Sequence, residues 1–155
     1  MLISITKSNG RNILLCTRAN GSTTRANLGP DFPYHDIAHY VVEQQMGFTK
    51  AFYALIAQGH SIDELSTTAM IRSLEREAMV SEVMTRALQS LSSGACRQDQ
   101  YIDLVSAELQ EDTPAISQQD VTEMYTTFMK LFAKWNALPE GESLTMHFTT
   151  TTTAA

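Results

Sequence analysis

The 155-residue sequence predicts an α+β fold: an N-terminal antiparallel β-meander joined by a C-terminal strand into a four-stranded sheet, packed with about five helices. Three features carry this. Two Asn-Gly turns separate three short segments at the N-terminus, helix-length segments with apolar residues three and four apart follow, and Leu144, Met146 and Phe148 alternate near the C-terminus.

Leu2 to Lys7 reads as the first strand, Ile13 to Arg18 as the second and Thr23 to Leu28 as the third. Ser8-Asn9-Gly10-Arg11 and Ala19-Asn20-Gly21-Ser22 lie between them. Asn-Gly suits a type I′ hairpin turn, whose two central residues need positive φ. Ile3 and Ile5 are expected to meet Ile13 and Leu15 on one face. The other carries Leu2, Ser4 and Thr6, the pattern of a sheet covered on one side.

Gly29-Pro30-Asp31-Phe32-Pro33 ends the meander. A first helix is predicted from about His35 to Met46, with Gly47 as its C′ residue, and a second from about Thr49 to Gln58, closed by Gly59. Ser61-Ile62-Asp63-Glu64 is a capping-box pattern. It starts either a short turn or a long helix to about Leu91 bearing Ile71, Leu74, Ala78, Ser81, Met84, Leu88 and Leu91 on one stripe. A fourth helix fits about Gln98 to Leu109. Ser117 caps a fifth, with Asp120 in its first turn and Val121, Met124, Tyr125, Phe128, Leu131, Phe132 and Trp135 as the expected centre of the core. Leu138-Pro139-Glu140-Gly141 breaks that helix, and the last strand then pairs with either the first or the third. Residues 1–149 read as a single domain, and the Thr-rich residues 150–155 as a disordered tail.

Eleven basic against seventeen acidic side chains give a net charge of −6, with no Lys/Arg block, so nucleic acid and anionic membrane are disfavoured as partners. No stretch approaches the roughly 20 apolar residues of a membrane span, and the alternating N-terminus does not read as a signal peptide. The expected location is the cytoplasm, with Cys16 and Cys96 as reduced thiols.

One dense cluster of chemistry-bearing side chains occurs, at the start of the first helix: His35, Asp36, His39 and Glu43. Residues four apart share a helix face, so His35 and His39 are candidate ligands for one divalent metal such as zinc. His35 and Glu43 are about 12 Å apart along the axis, too far to share it. One ion therefore takes His35 with His39, or His39 with Glu43, and needs further ligands from elsewhere. On the helical wheel Ile37, Ala38, Val41 and Val42 define the buried side, with His35 at its edge, His39 further round and Glu43 nearly opposite. A local structural role also fits: Asp36 favours a first turn, and His39 can pair with Glu43. His35-Asp36 lacks the upstream His of a metal-dependent phosphohydrolase site. The run is not HExxH, because Asp36 stands where that motif has its general base. Glu75, Glu77 and Glu82 with Arg72, Arg76 and Arg86 read as a solvated, salt-bridged face. Nothing places His60 or His147 near the cluster.

The run His35-Asp36-Ile37-Ala38-His39-Tyr40-Val41-Val42-Glu43 and the ending Trp135-Asn136-Ala137-Leu138-Pro139-Glu140-Gly141-Glu142-Ser143-Leu144-Thr145-Met146 carry a resemblance. With the meander, they make the chain similar to an uncharacterised family of small bacterial α+β proteins that share an HDxxHxxxE-like run and a WxxLPxGxxLTL-like close. The resemblance implies the architecture and a fixed role for the Pro139-Glu140-Gly141 turn in delivering the last strand. It implies no reaction.

These observations give a first expectation of a binding or structural/interaction module. The alternative is a metal-dependent or acid/base enzyme centred on His35 and His39. A homo-oligomer acting through a sheet edge or helix face is a third.

Overall fold

Two turns of different size set the register of the sheet in the computed structural model, which describes residues 1–67 and 75–150. Strands β1 (Leu2–Thr6) and β2 (Asn12–Thr17) are joined through Asn9 and Gly10, at φ 42° and 76°, with Arg11 N–H donating to Ser8 O at 2.7 Å. This is the expected two-residue turn. Such a turn pairs positions of opposite parity, so Ile3 faces Cys16 and Ile5 faces Leu14. The expected meeting of Ile3 and Ile5 with Ile13 and Leu15 is therefore wrong. A one-residue offset moves every side chain of a strand to the other face: Leu14 and Cys16 are buried, and Ile13 and Leu15 are half-buried. The second turn differs. Arg18 N–H donates to Ser22 O, leaving Ala19, Asn20 and Gly21 as a three-residue loop in which Gly21 alone takes positive φ, 85°. It leads into β3 (Thr23–Leu28).

The last strand, β4 (Ser143–His147), pairs with β1, setting Leu144 opposite Ile5 and Met146 opposite Ile3; the sheet order is β3-β2-β1-β4, all antiparallel. Gly141 (φ 87°) turns the chain into β4, its N–H donating to Lys7 O, while Glu140 Oε2 accepts from Asn9 N–H at 2.7 Å. The Pro139-Glu140-Gly141 segment thus docks on the first hairpin.

Helix α1 (Phe32–Met46) begins three residues before the predicted start, because Pro33 fits a first turn where its missing N–H costs nothing. Gly47, at φ 67°, ends it as expected. Helix α2 (Phe52–Ala57) is shorter than predicted. Ser61 Oγ accepts from Glu64 N–H at 3.0 Å to start the short helix α3 (Ile62–Leu65), and the long helix α4 (Arg76–Ser92) begins separately. Ile71, Arg72 and Leu74 lie outside the described residues, as does the tail beyond Thr150; Ala78, Ser81, Met84, Leu88 and Leu91 are buried on α4. A 3-10 turn (Gln98–Gln100) leads into α5 (Tyr101–Leu109), and another (Gln110–Asp112) follows it. Ser117 and Asp120 form the reciprocal cap of α6 (Gln118–Ala137).

The core is one cluster running from Ile3 and Leu14 on the sheet through Ile37, Val42 and Met84 to Phe128 and Trp135. Its centre is α1 rather than the predicted last helix. Helix α1 packs against α2, α4 and α6, and buries Pro33, Asp36, Ile37, Ala38, His39, Val41, Val42 and Glu43. Both cysteines are free, and burial pushes the Cys16 thiol up to about 12. No helix of the described residues is long and apolar enough to cross a membrane.

Candidate metal centre

Helices α1 and α4 run antiparallel: His35 meets Gln89, His39 meets Glu82, and Thr49, beyond the end of α1, meets Glu77. The four-residue spacing of His35 and His39 stacks their rings at 4.7 Å between centroids, inclined by 80°. Both Nε2 atoms converge on one carboxylate. Glu82 Oε1 lies 3.3 Å from His35 Nε2, and Glu82 Oε2 lies 2.8 Å from His39 Nε2. One ligand atom from each of His35, His39 and Glu82 lies within 4.8 Å of the others.

The opposite ring atoms are held from behind. His39 Nδ1 is 2.8 Å from Glu43 Oε2, and His35 Nδ1 is 3.0 Å from Gln89 Oε1. Glu43 is fully buried, and both of its oxygens are used: Oε2 also accepts from Ser81 Oγ–H and Oε1 accepts from Tyr53 N–H, each at 2.8 Å. The Glu43 carboxylate fixes a proton on His39 Nδ1, so that in a metal complex Nε2, its own proton displaced, would be the ligand atom, the arrangement found behind metal-bound histidines.

The cluster predicted from the sequence is thus partly rearranged. His35 and His39 come together as expected. Glu43, placed nearly opposite the buried side on the wheel, is fully buried, since α4 covers that side of α1 with Ser81, and it binds His39 from the back. Asp36 is buried, and its Oδ2 has no hydrogen-bond partner among the described residues. The missed residue is Glu82, taken as part of a salt-bridged face. Arg76 instead pairs with Asp112, Arg86 with Glu108 at 2.7 Å, and Lys50 with Glu75 at 3.2 Å, while Glu77 accepts the N–H groups of Thr49 and Lys50. Arg86, four residues on, made Glu82 look like an ordinary surface pair. The available signal was Ser81, a hydroxyl in an otherwise apolar stripe, which marks a polar partner on the facing helix. His60 pairs with Glu64, and His147 sits exposed on β4, both apart from the centre.

Electrostatics tie these groups together. Hydrogen bonds from His35 and then His39 hold the Glu82 carboxyl well below its usual range. Burial disfavours a charged His39 ring, but the hydrogen bonds and charges of Glu43 and Glu82 outweigh it and raise the proton affinity. His35 is raised chiefly by its hydrogen bond to Glu82. Burial lifts Asp36 to about 6 despite the two nearby imidazoles.

The centre opens into a cavity of about 780 Å³ between α1, α2, α3, α4 and the β2–β3 side of the sheet. Tetrahedral zinc with bonds of about 2.0–2.1 Å sets its ligand atoms about 3.3 Å apart, so the spacing of His35, His39 and Glu82 closes on such an ion with small movements. Two imidazoles and one carboxylate leave a coordination position for water or substrate. No family model, curated protein or solved structure matches the chain.

Proposed function

We propose that the protein is a metal-dependent enzyme of hydrolytic type, its divalent ion, zinc in the first instance, held by His35 and His39 through Nε2 and by Glu82. The observation that carries this is the double orientation of the imidazoles. Both Nε2 atoms face one carboxylate, and both Nδ1 atoms are held by separate acceptors, Glu43 and Gln89.

A zinc ion there supplies Lewis acidity and lowers the pKa of a water in its open position to about 7. The chain's own part is positional. Glu43 and Gln89 aim the rings, and Glu82 neutralises part of the charge. Asp36, which lines the cavity and stands between the two histidines in sequence as the base of HExxH does, would be the group to take the water's proton and pass it to the leaving atom. In the net reaction water oxygen bonds to the electrophilic carbon, the bond to the leaving group breaks, and the proton ends on that group.

The competing reading is a binding or structural module in which the same cluster is a buried charge network. It is favoured by one fact: every ring nitrogen of His35 and His39 already has a partner. Untagged protein purified without chelator and assayed for metal separates the two. About one zinc per chain, lost in His39→Ala and in Glu82→Gln, supports the metal enzyme. Folded protein that takes up no zinc, cobalt or manganese sinks it.

A further inference from the structure

The cavity in front of the centre has a composition that selects what can enter. Its wall includes Leu28, Phe32, Phe52, Leu55, Leu65 and Met79, and no Lys or Arg lines it among the described residues. Among the described residues, a phosphorylated or otherwise polyanionic ligand thus meets no Lys or Arg side chain there. At about 780 Å³ it is within the range of small-molecule sites rather than a packing defect.

The mouth adds an independent observation. Three large apolar side chains are exposed among the described residues: Phe32 at 58%, Met79 at 58% and Leu104 at 43%. Two of the three, Phe32 on α1 and Met79 on α4, belong to this cavity, on the same helices that carry the histidines and Glu82. Isolated exposed apolar groups need no account, but two that line one cavity give it a surface that an apolar ligand covers. The apolar wall begins at the centre itself: the Phe32 and His35 ring centroids are 6.4 Å apart, and those of Phe52 and His39 5.6 Å.

We infer that the cavity takes a small amphipathic molecule, with an uncharged carbonyl-type oxygen directed at the His35/His39/Glu82 centre and an apolar acyl or aryl body lying against the Phe32, Phe52, Leu55, Leu65 and Met79 wall. This rests on the metal reading above and narrows its substrate to esters or amides of hydrophobic acids. The centre recognises the head, and the wall supplies the chain-length preference.

Hydroxamic acids test it, because their head binds zinc whatever body is attached. Zinc-loaded protein is titrated calorimetrically with acetohydroxamate and with octanohydroxamate, with zinc content measured on the same sample. The expected result is at least tenfold tighter binding of the octanoyl compound. In Met79→Gln, a change at an exposed position, that preference falls at least threefold while acetohydroxamate affinity and zinc content stay unchanged. Leu28→Gln serves as a second probe of the wall. Stoichiometric zinc with equal affinity for the two hydroxamates overturns the apolar-ligand inference and leaves the metal centre standing. A preference untouched by both substitutions overturns its assignment to this cavity. Failure to retain zinc removes the metal centre and this inference together.

Discussion

His39 stands between two carboxylates of opposite character, its Nδ1 2.8 Å from the fully buried Glu43 and its Nε2 2.8 Å from Glu82, which is about half exposed at 46%. The two carboxylates should therefore fail differently when neutralised. Glu43→Gln removes the charge facing His39 in the interior and disturbs the bonds to Ser81 and Tyr53, so it should destabilise the fold by about 3–5 kcal/mol and weaken zinc about 10–100-fold by loosening the ring. Glu82→Gln should change stability by less than about 1 kcal/mol yet abolish zinc retention. Urea unfolding and zinc titration of both variants check this. Equal effects on zinc from the two would contradict the assigned roles.

Metal and protons compete for His39 Nε2. Because the two carboxylates raise the proton affinity of this ring above its ordinary value of 6.5, metal-free protein carries the proton well past neutrality. Zinc must displace it, so binding at pH 7 should release about one to two protons per ion and tighten as pH rises from 6 to 8. Calorimetry in two buffers of different ionisation enthalpy measures the release. Zinc affinity independent of pH across that window would exclude His39 Nε2 as a ligand.

Asp36 is a destabilising charge in the metal-free fold. Its pKa, raised from 3.8 to about 6 by burial, means that the folded chain binds more protons than the unfolded chain between those values. Stability therefore falls as pH rises from about 4 to about 6 and stays lowered above that. Asp36→Asn should be as stable as the parent at pH 4 and more stable at pH 8 by up to about 3 kcal/mol. Its hydrolytic activity should be lost while zinc is retained. A stability loss at pH 8 would show that the carboxylate has a structural partner.

Much of the fold was legible because local rules govern it. Asn9-Gly10, the Ser61 and Ser117 caps, Gly47 and the stripe of α6 each depend on near neighbours in sequence. The face of β2 was misread because parity depends on whether a turn holds two residues or three, and Asn-Gly serves both. At the site, the His35/His39 pair followed from helical spacing alone. Glu82 did not, because its role depends on the antiparallel packing of α1 and α4, a long-range relationship between residues 43 apart. Glu43 was misplaced for a related reason: a wheel weighted by hydrophobicity cannot register a polar flank buried against another polar flank.

Closure of the chain should be separable from the metal centre at Lys7. Its Nζ donates to Trp135 O at 2.6 Å and to Leu138 O at 2.9 Å, and lies 4.8 Å from the Trp135 ring centroid. A cation at the C-terminal end of α6 meets carbonyls that no helical N–H satisfies, and it ties β1 to the segment that delivers β4. Lys7→Met keeps most of the aliphatic stem but removes the charge and both hydrogen bonds. The expected loss is about 1–3 kcal/mol in urea unfolding, because Leu138 O loses its Lys7 donor and Trp135 O keeps only the Leu138 N–H at a half-buried junction. The His35/His39/Glu82 centre lies on α1 and α4, neither of which contacts Lys7 through any of these bonds, so zinc affinity should stay within about twofold, well under the tenfold that 1.4 kcal/mol represents. A variant equally stable but weaker in zinc would mean that the two ends of the chain act on the centre rather than merely close the sheet.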